Sequence, residues 1–258
     1  MNKYIVSVTS HSTRLEASAA RACYSMIDQT FKPDKLVLWL GHQYKNSVPQ
    51  TLLDLQQLGL EIRFTDDIGP STKLLPSLKA FPDDYIITLD DDQYYSRDIL
   101  ERLITHHKQY PDRIVCNITR HILLGEDNKF VKVLPLNTVA PSHIWPQGVG
   151  GVLYPPHSLH NDVFNLDRLN NVCPTCDDIW FYGMGIIAGT KYVWTGVKDA
   201  DVRKEISRDG MAGGIALWTI NNAQHGNSGR QHFNKLAEYY PQIIEYYNTD
   251  QAKETITI

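Results

Sequence analysis

The chain has 258 residues, 42% hydrophobic and 21% charged, which is enough apolar material for a substantial core and argues against large-scale disorder. A formal net charge of -4, with Lys and Arg scattered rather than blocked, speaks against a surface that coats a phosphate backbone, so no nucleic acid partner is expected. No apolar run approaches the ~20 residues that cross a bilayer, and the opening MNKYIVSVTSHSTR breaks after a strand-length run, so a cytoplasmic protein is expected.

In chain order, Tyr4 to Thr9 (YIVSVT) reads as a buried strand, and Leu15, Ala19, Ala22, Cys23, Met26 and Ile27 then fall on one helical face. Leu36 to Leu40 is a second strand, Pro49 suits the first turn of a helix running to Leu58, and Leu60 to Thr65 is a third strand. Lys73 to Ala80 forms a short helix, and Tyr85 to Leu89 is a fourth strand. Ser96 is placed to cap a helix with apolar positions Ile99, Leu100, Leu103 and Ile104, followed by a strand from Ile114 to Thr119. Such alternation implies an α/β fold with a mostly parallel sheet flanked by helices, and ligands in the crevice at the carboxyl ends of the strands.

The second half is less regular. Glu126 to Lys129 reads as a hairpin turn, Gln147 to Tyr154 is glycine-rich, and Pro155-Pro156 breaks the chain. Asp177 to Ile187 opens a helix with two aspartates at its positive end, and Tyr192 to Thr195 is a short strand. Asn221 to Arg230 is too polar and glycine-rich for an element, and apolar spacing from Asn234 to Asn248 gives one closing amphipathic helix. Cys173 and Cys176 have the spacing of a zinc knuckle but lack two further ligands, so they read as small residues on a buried loop, and no disulfide is required. Nothing divides the chain, so residues 1–258 are read as one domain.

The segment with chemical content is Asp90-Asp91-Asp92 at the end of the fourth strand. Three adjacent carboxylates repel one another and are costly to desolvate, so a hard divalent cation is their natural partner; Mg²⁺ or Mn²⁺ typically bridges one or two carboxylates to substrate phosphates. An exposed acidic turn is the plain alternative.

Four segments together resemble bacterial GT-A glycosyltransferases of the family 2 type. They are the strand with its aspartate run, Asp67-Ile68-Gly69-Pro70-Ser71-Thr72-Lys73-Leu74, Gly150-Gly151-Val152-Leu153-Tyr154-Pro155-Pro156, and Asp177-Asp178-Ile179-Trp180, and the likeness spans about Tyr4 to Trp194. The resemblance implies a GT-A (Rossmann-like) mixed sheet, with residues 1–120 as the nucleotide-sugar-binding half and 121–258 as the acceptor-binding half. It implies that Asp90 and Asp92 form the D-x-D pair that holds Mn²⁺ or Mg²⁺ against the donor diphosphate. Thr9, Ser10, Arg14, Lys73, Asp90 and Asp91 would line the donor, and His225 is a candidate further metal ligand. Asp178, 86 positions after Asp92, would be the general base of an inverting transfer, within hydrogen-bond reach of the acceptor hydroxyl. Asp177 and Trp180 are candidate acceptor contacts; capping the helix is the alternative for the aspartates, and core packing for Trp180, Trp145 and Tyr154. The implied partners are a nucleotide-sugar donor, a UDP-sugar being the expectation, and a glycan or lipid-linked glycan acceptor reached with peripheral contact at the inner face of the membrane. Arg203, Lys204 and Arg208 read as a solvated face, with neutralisation of the leaving phosphates as the alternative.

Two other readings compete. A nucleotidyltransferase also sets carboxylates and Mg²⁺ at the end of such a sheet, but the glycine- and basic-rich loop expected after its first strand is missing. A sugar- or nucleotide-binding module without turnover would keep the fold.

Overall fold

The computed structural model describes residues 2–134, 144–205, 228–249 and 256–257. Its centre is an eight-stranded sheet. The strands are β1 (Tyr4–Thr9), β2 (Lys35–Gly41), β3 (Leu60–Thr65), β4 (Tyr85–Thr88), β6 (Ile114–Cys116), β10 (Val152–Tyr154), β11 (Tyr192–Trp194) and β13 (Ile256–Thr257), in the spatial order β13-β11-β6-β10-β4-β1-β2-β3. Strand β10 runs antiparallel to both β4 and β6, and the remaining pairings are parallel. The expected mixed, mostly parallel sheet is therefore present. The order reverses direction between β1 and β4, so a crevice opens outside their carboxyl ends, where ligands bind in open α/β sheets.

The pleat explains why these segments are so apolar. Ile5 of β1 and Ile86 of β4 face one core, with Val37 and Trp39 of β2, while Val6, Val8, Ile87 and Leu89 face the other. Helices α1 (Ala20–Ile27) and α4 (Ile99–Gln109) cover the second face; α3 (Leu75–Ala80), α6 (Asp177–Ile187), α7 (Ser228–Tyr239) and α8 (Gln242–Asn248) cover the first. The short helix α2 (Gln50–Asp54) packs on the second face through Leu52, and α5 (Leu166–Val172) on the first through Leu169 and Val172. Two smaller sheets flank the centre: β5 (Gln93–Tyr95) with β12 (Arg203–Glu205), and β7 (Thr119–Leu124) with β8 (Phe130–Leu134) and β9 (Ile144–Pro146). The hairpin turn falls between β7 and β8 as expected, with Asn128 at a positive φ of 60°.

Several boundaries differ from expectation, each for a local reason. The strand expected from Ile114 to Thr119 splits at Asn117, whose buried side chain donates to the Gly150 carbonyl and accepts from Thr195, so the chain leaves one sheet and enters another there. Ser96 is not the cap of α4: the helix starts at Ile99, and the Ser96 backbone N–H donates to the Val202 carbonyl beside β12. The single closing helix is two, α7 and α8, interrupted at Tyr240-Pro241 because proline has no N–H for the ladder. Helix α7 already begins at Ser228, so the last residues of the polar stretch are helical. Cys23, Cys116, Cys173 and Cys176 are free thiols, and all but Cys176 are fully buried. Among the described residues no helix is long and apolar enough to cross a membrane.

Candidate active site

The carboxyl ends of β1 and β4, the loop after β9 and the start of α6 meet around one ammonium group. Lys73 is buried, with Nζ 2.9 Å from Asp90 Oδ1 and 3.1 Å from Asp177 Oδ2. Burial opposes its charge, yet Asp177, Asp90 and Asp178 outweigh that penalty and hold its pKa well above the usual lysine value. The backbone that presents it is anchored from below. Ser7 on β1 donates its hydroxyl to the Lys73 carbonyl and shares a hydrogen bond of 2.7 Å with Ser77, which also accepts from the Trp39 indole N–H at 2.7 Å. The first core layer thus fixes where the lysine emerges.

On the strand side the three aspartates diverge. Asp91 turns inward, 4% exposed, and Arg14 reaches it at 2.8 Å while its other nitrogen lies 3.0 Å from Asp92. Burial raises the Asp91 carboxyl, with Arg14 and the facing Ser10 hydroxyl opposing. Asp92 is raised by burial and by the charge of Asp90. Asp92 also accepts from Gln93 at 2.7 Å, and Gln93 accepts in turn from Arg203 at 2.7 Å, so Arg203 is packed behind the aspartate run instead of lying on a solvated face. Asp90 and Asp92 keep part of their surface open.

On the helix side the two aspartates differ as sharply. Asp177 is buried and serves as counter-ion to Lys73. Asp178 instead accepts a backbone N–H from Gly148 at 3.1 Å. Burial and then the neighbouring Asp177 push its pKa up to about 7, against the opposing pull of Lys73. Neither side chain caps α6. Gly148 is required here by contact: a Cβ would stand 2.6 Å from Asp178 Oδ1 and 2.8 Å from Lys73 Nζ.

Of the residues expected to form the site, Ser10, Arg14, Lys73, Asp90, Asp91, Asp92, Asp177 and Asp178 come together in this depression. Thr9 lies at its edge, with its hydroxyl donated to the Trp39 carbonyl at 2.9 Å. Two acceptor assignments need correction. Trp180 has no exposed surface, donates its indole N–H to the Val163 carbonyl and packs edge-on against Tyr240, so it is a core residue with no face to offer a sugar. Asp177 is committed to Lys73 and, at 7% exposure, has little surface for an acceptor. His225 and Arg208 lie outside the described residues. Gln93, Tyr95 and Gly148 were not anticipated as site residues, and Tyr154, a candidate for stacking on a sugar ring, is buried instead. Tyr95 accepts from the Asp90 N–H at 2.8 Å, and burial, followed by the charge of Asp178, raises the Tyr154 phenol pKa well above its usual value.

Among the described residues no three His, Cys, Asp or Glu side chains converge as a closed metal centre. Among the described residues there is a surplus of negative charge: Asp90, Asp91, Asp92, Asp177 and Asp178 are set against Arg14 and Lys73. That donor set does not suit a cation held by protein alone; it suits one that a carboxylate or two shares with substrate phosphates.

Comparison with known proteins agrees with this architecture. Residues 8–161 match the family model of Glycosyl transferase family 2, more than half of the chain. The structure of S. aureus TarS 1–349 in complex with UDP superposes with a TM-score of 0.50 at 13% identity, covering 92% of this chain and 70% of that one. The same protein with UDP-GlcNAc gives 0.48 at 14% identity, covering 94% and 73%. A CMP:2-keto-3-deoxy-manno-octonic acid synthetase complexed with CTP gives 0.46 at 14% identity, covering 74% and 88%. No curated protein sequence matches. With the sheet order, the acidic strand end and the family match on one chain, the protein belongs to glycosyl transferase family 2 and is a glycosyltransferase of the GT-A fold.

Proposed function

We propose that the enzyme is metal-dependent, takes a nucleotide-sugar donor, and transfers the sugar with inversion to a hydroxyl of a glycan or lipid-linked glycan. The observation that carries this reading is the shared ammonium: Lys73 joins Asp90 at the strand end to Asp177 at the helix start, so the donor-side carboxylates and Asp178 line one depression. Residues 1–120 then supply the donor half and 121–258 the acceptor half.

The roles follow from the charges. A donor diphosphate entering a site already rich in carboxylate needs a counter-charge; Asp90 and Asp92 are the residues that would hold a Mn²⁺ or Mg²⁺ ion, which would supply that charge for the departing nucleotide. Arg14 and Lys73 hold the aspartates in place and add positive charge toward the phosphates. Asp178, whose raised pKa suits a proton acceptor near neutral pH, takes the proton from the acceptor hydroxyl as that oxygen attacks the anomeric carbon. Ser10 and Thr9 border the nucleotide side. A peripheral position on a membrane would bring a lipid-linked acceptor to the depression.

UDP is the first nucleotide to try, because the TarS fragment that shares this fold was solved with UDP. A thermal-shift panel of UDP, GDP, CMP and UDP-sugars, each with Mn²⁺, Mg²⁺ or EDTA, tests the proposal, since a ligand that binds only the folded state raises its melting temperature. A rise with one nucleoside diphosphate that requires metal and vanishes in Asp92→Ala supports it. A response to none, or one indifferent to EDTA and to Asp92→Ala, overturns it.

A further inference from the structure

The two halves of the depression are tied by a second connection that does not involve Lys73. The Tyr95 hydroxyl accepts the Asp90 backbone N–H at 2.8 Å and donates to the Val149 carbonyl at 3.2 Å. Val149 lies in the short turn Gly148–Gly150, and the first residue of that turn gives its N–H to Asp178 at 3.1 Å. A continuous path therefore runs from the backbone of the acidic strand end, through one phenol, into the turn that holds Asp178.

The phenol is well placed to transmit position. Tyr95 is 1% exposed, and its own N–H donates to Ser25 on α1 at 3.2 Å. Strand β5 pairs with β12, which fixes the Tyr95 backbone opposite Arg203. The turn it grips has little freedom elsewhere, because a Cβ on Gly150 or Gly151 would stand 2.4 Å from Ile118 or 2.9 Å from Leu89. The hydroxyl's single donor and one of its acceptor sites are used inside the protein, the donor on Val149 and the acceptor on Asp90.

We infer that Tyr95 is a positioning residue that sets the separation between the donor-side aspartates and the base Asp178, an inference that rests on the donor and base roles proposed above. The hydroxyl touches no reacting atom. Its work is to keep the turn at 148–150, and with it the Asp178 carboxylate, at one distance from the Asp90 backbone. Misplacement of a reacting group by about 1 Å can cost on the order of 10²-fold in rate, so a modest relaxation of this link is enough to register.

Tyr95→Phe keeps the ring and removes only the hydroxyl. Two measurements decide the matter, with Tyr182→Phe as control, because Tyr182 loses a buried hydroxyl contact to Tyr247 that does not touch this path. The first, amide hydrogen exchange of residues 148–151, needs no donor; exchange there is expected to quicken in Tyr95→Phe and not in Tyr182→Phe. The second is steady-state UDP release from whichever UDP-sugar the wild-type enzyme turns over fastest with Mn²⁺, together with UDP affinity by calorimetry. In Tyr95→Phe the kcat is expected to fall about tenfold with UDP affinity unchanged. Unchanged exchange at 148–151 overturns the link, and quickened exchange with wild-type kcat overturns the positioning role. A fall in kcat matched by equally weakened UDP binding overturns the positioning role in favour of a donor-site role. If the wild-type protein neither binds UDP with Mn²⁺ nor releases it from any UDP-sugar, the functional proposal fails, and the exchange measurement still decides the link by itself.

Discussion

Two acidic clusters meet at this site, and they are built in opposite ways. The run at Asp90–Asp92 ends a strand, spreads its carboxylates in different directions, and is neutralised from both sides by Arg14 and Lys73. The pair at Asp177–Asp178 begins a helix and shares almost nothing: Asp177 takes the ammonium, and Asp178 is left with one backbone N–H in a crowded place. The difference teaches how one residue type serves two purposes. Burial raises Asp91 and Asp92 as well, but Arg14 opposes the rise in both. Asp178, which has no ion pair of its own among the described residues, is instead pushed up to about 7 by burial and by Asp177, a range that suits the proton acceptor proposed above.

The strongest way to break this contrast is to remove what both clusters share. Lys73→Met would leave Asp90, Asp177 and Asp178 facing one another without the ammonium, and loss of one partner from a buried ion pair costs about 3–5 kcal/mol. Urea denaturation at pH 7.5 should show that loss; an unchanged midpoint would mean that the carboxylates do not depend on Lys73. A narrower change is Asp178→Asn, expected to cut turnover by a factor on the order of 10² or more while sparing metal-dependent nucleotide binding. Transfer at the wild-type rate would remove Asp178 from the mechanism. Asp177→Asn sharpens the comparison further: it strips Lys73 of a counter-ion and so should lower stability more than Asp178→Asn does, with a smaller effect on turnover, read by the same two assays.

Much of this was legible from residue order alone. The alternation of β1 through α4 could be read because β1, β2 and β4 are largely apolar on both faces, β3 alternates apolar with charged residues, and helix α4 carries a clear stripe of Ile99, Leu100, Leu103 and Ile104. The start of α6 was legible from its two aspartates. What they do there was only half legible, since separating the counter-ion from the proposed base depends on where Lys73 points, which is set by its contact with Ser7 on β1, far from Asp177 in the sequence. Trp180 shows the opposite failure: beside an acidic pair it looks like a sugar platform, but residues at successive helix positions face different ways, and its face is the core. Tyr95 was missed because its role rests on pairings made by the hydroxyl, although the pattern Gln93 in, Tyr94 out, Tyr95 in was a period-two signal of a short strand. The break at Tyr240-Pro241 could have been read directly from the proline.

The subtlest consequence of the contrast is a linkage between pH and folding. Asp178 has a folded-state pKa raised to about 7, whereas an aspartate in the unfolded chain titrates near ~3.9. Between those values the folded protein holds a proton that the unfolded chain has lost, so raising the pH across this window favours unfolding. The sign is opposite to that of a salt-bridged aspartate such as one whose pKa is depressed, which loses stability as the pH falls. Asparagine at 178 does not titrate, so the melting temperature of Asp178→Asn relative to wild type should climb steadily from about pH 4 to about pH 7 and then level off. In the same window wild-type kcat/KM should rise with pH as the base ionises, which makes activity and stability move in opposite directions on one carboxyl group. Melting curves at half-unit steps, without nucleotide or metal, test this; a difference that is flat with pH would place the Asp178 pKa at its ordinary value and remove the electrostatic basis for its choice as the base.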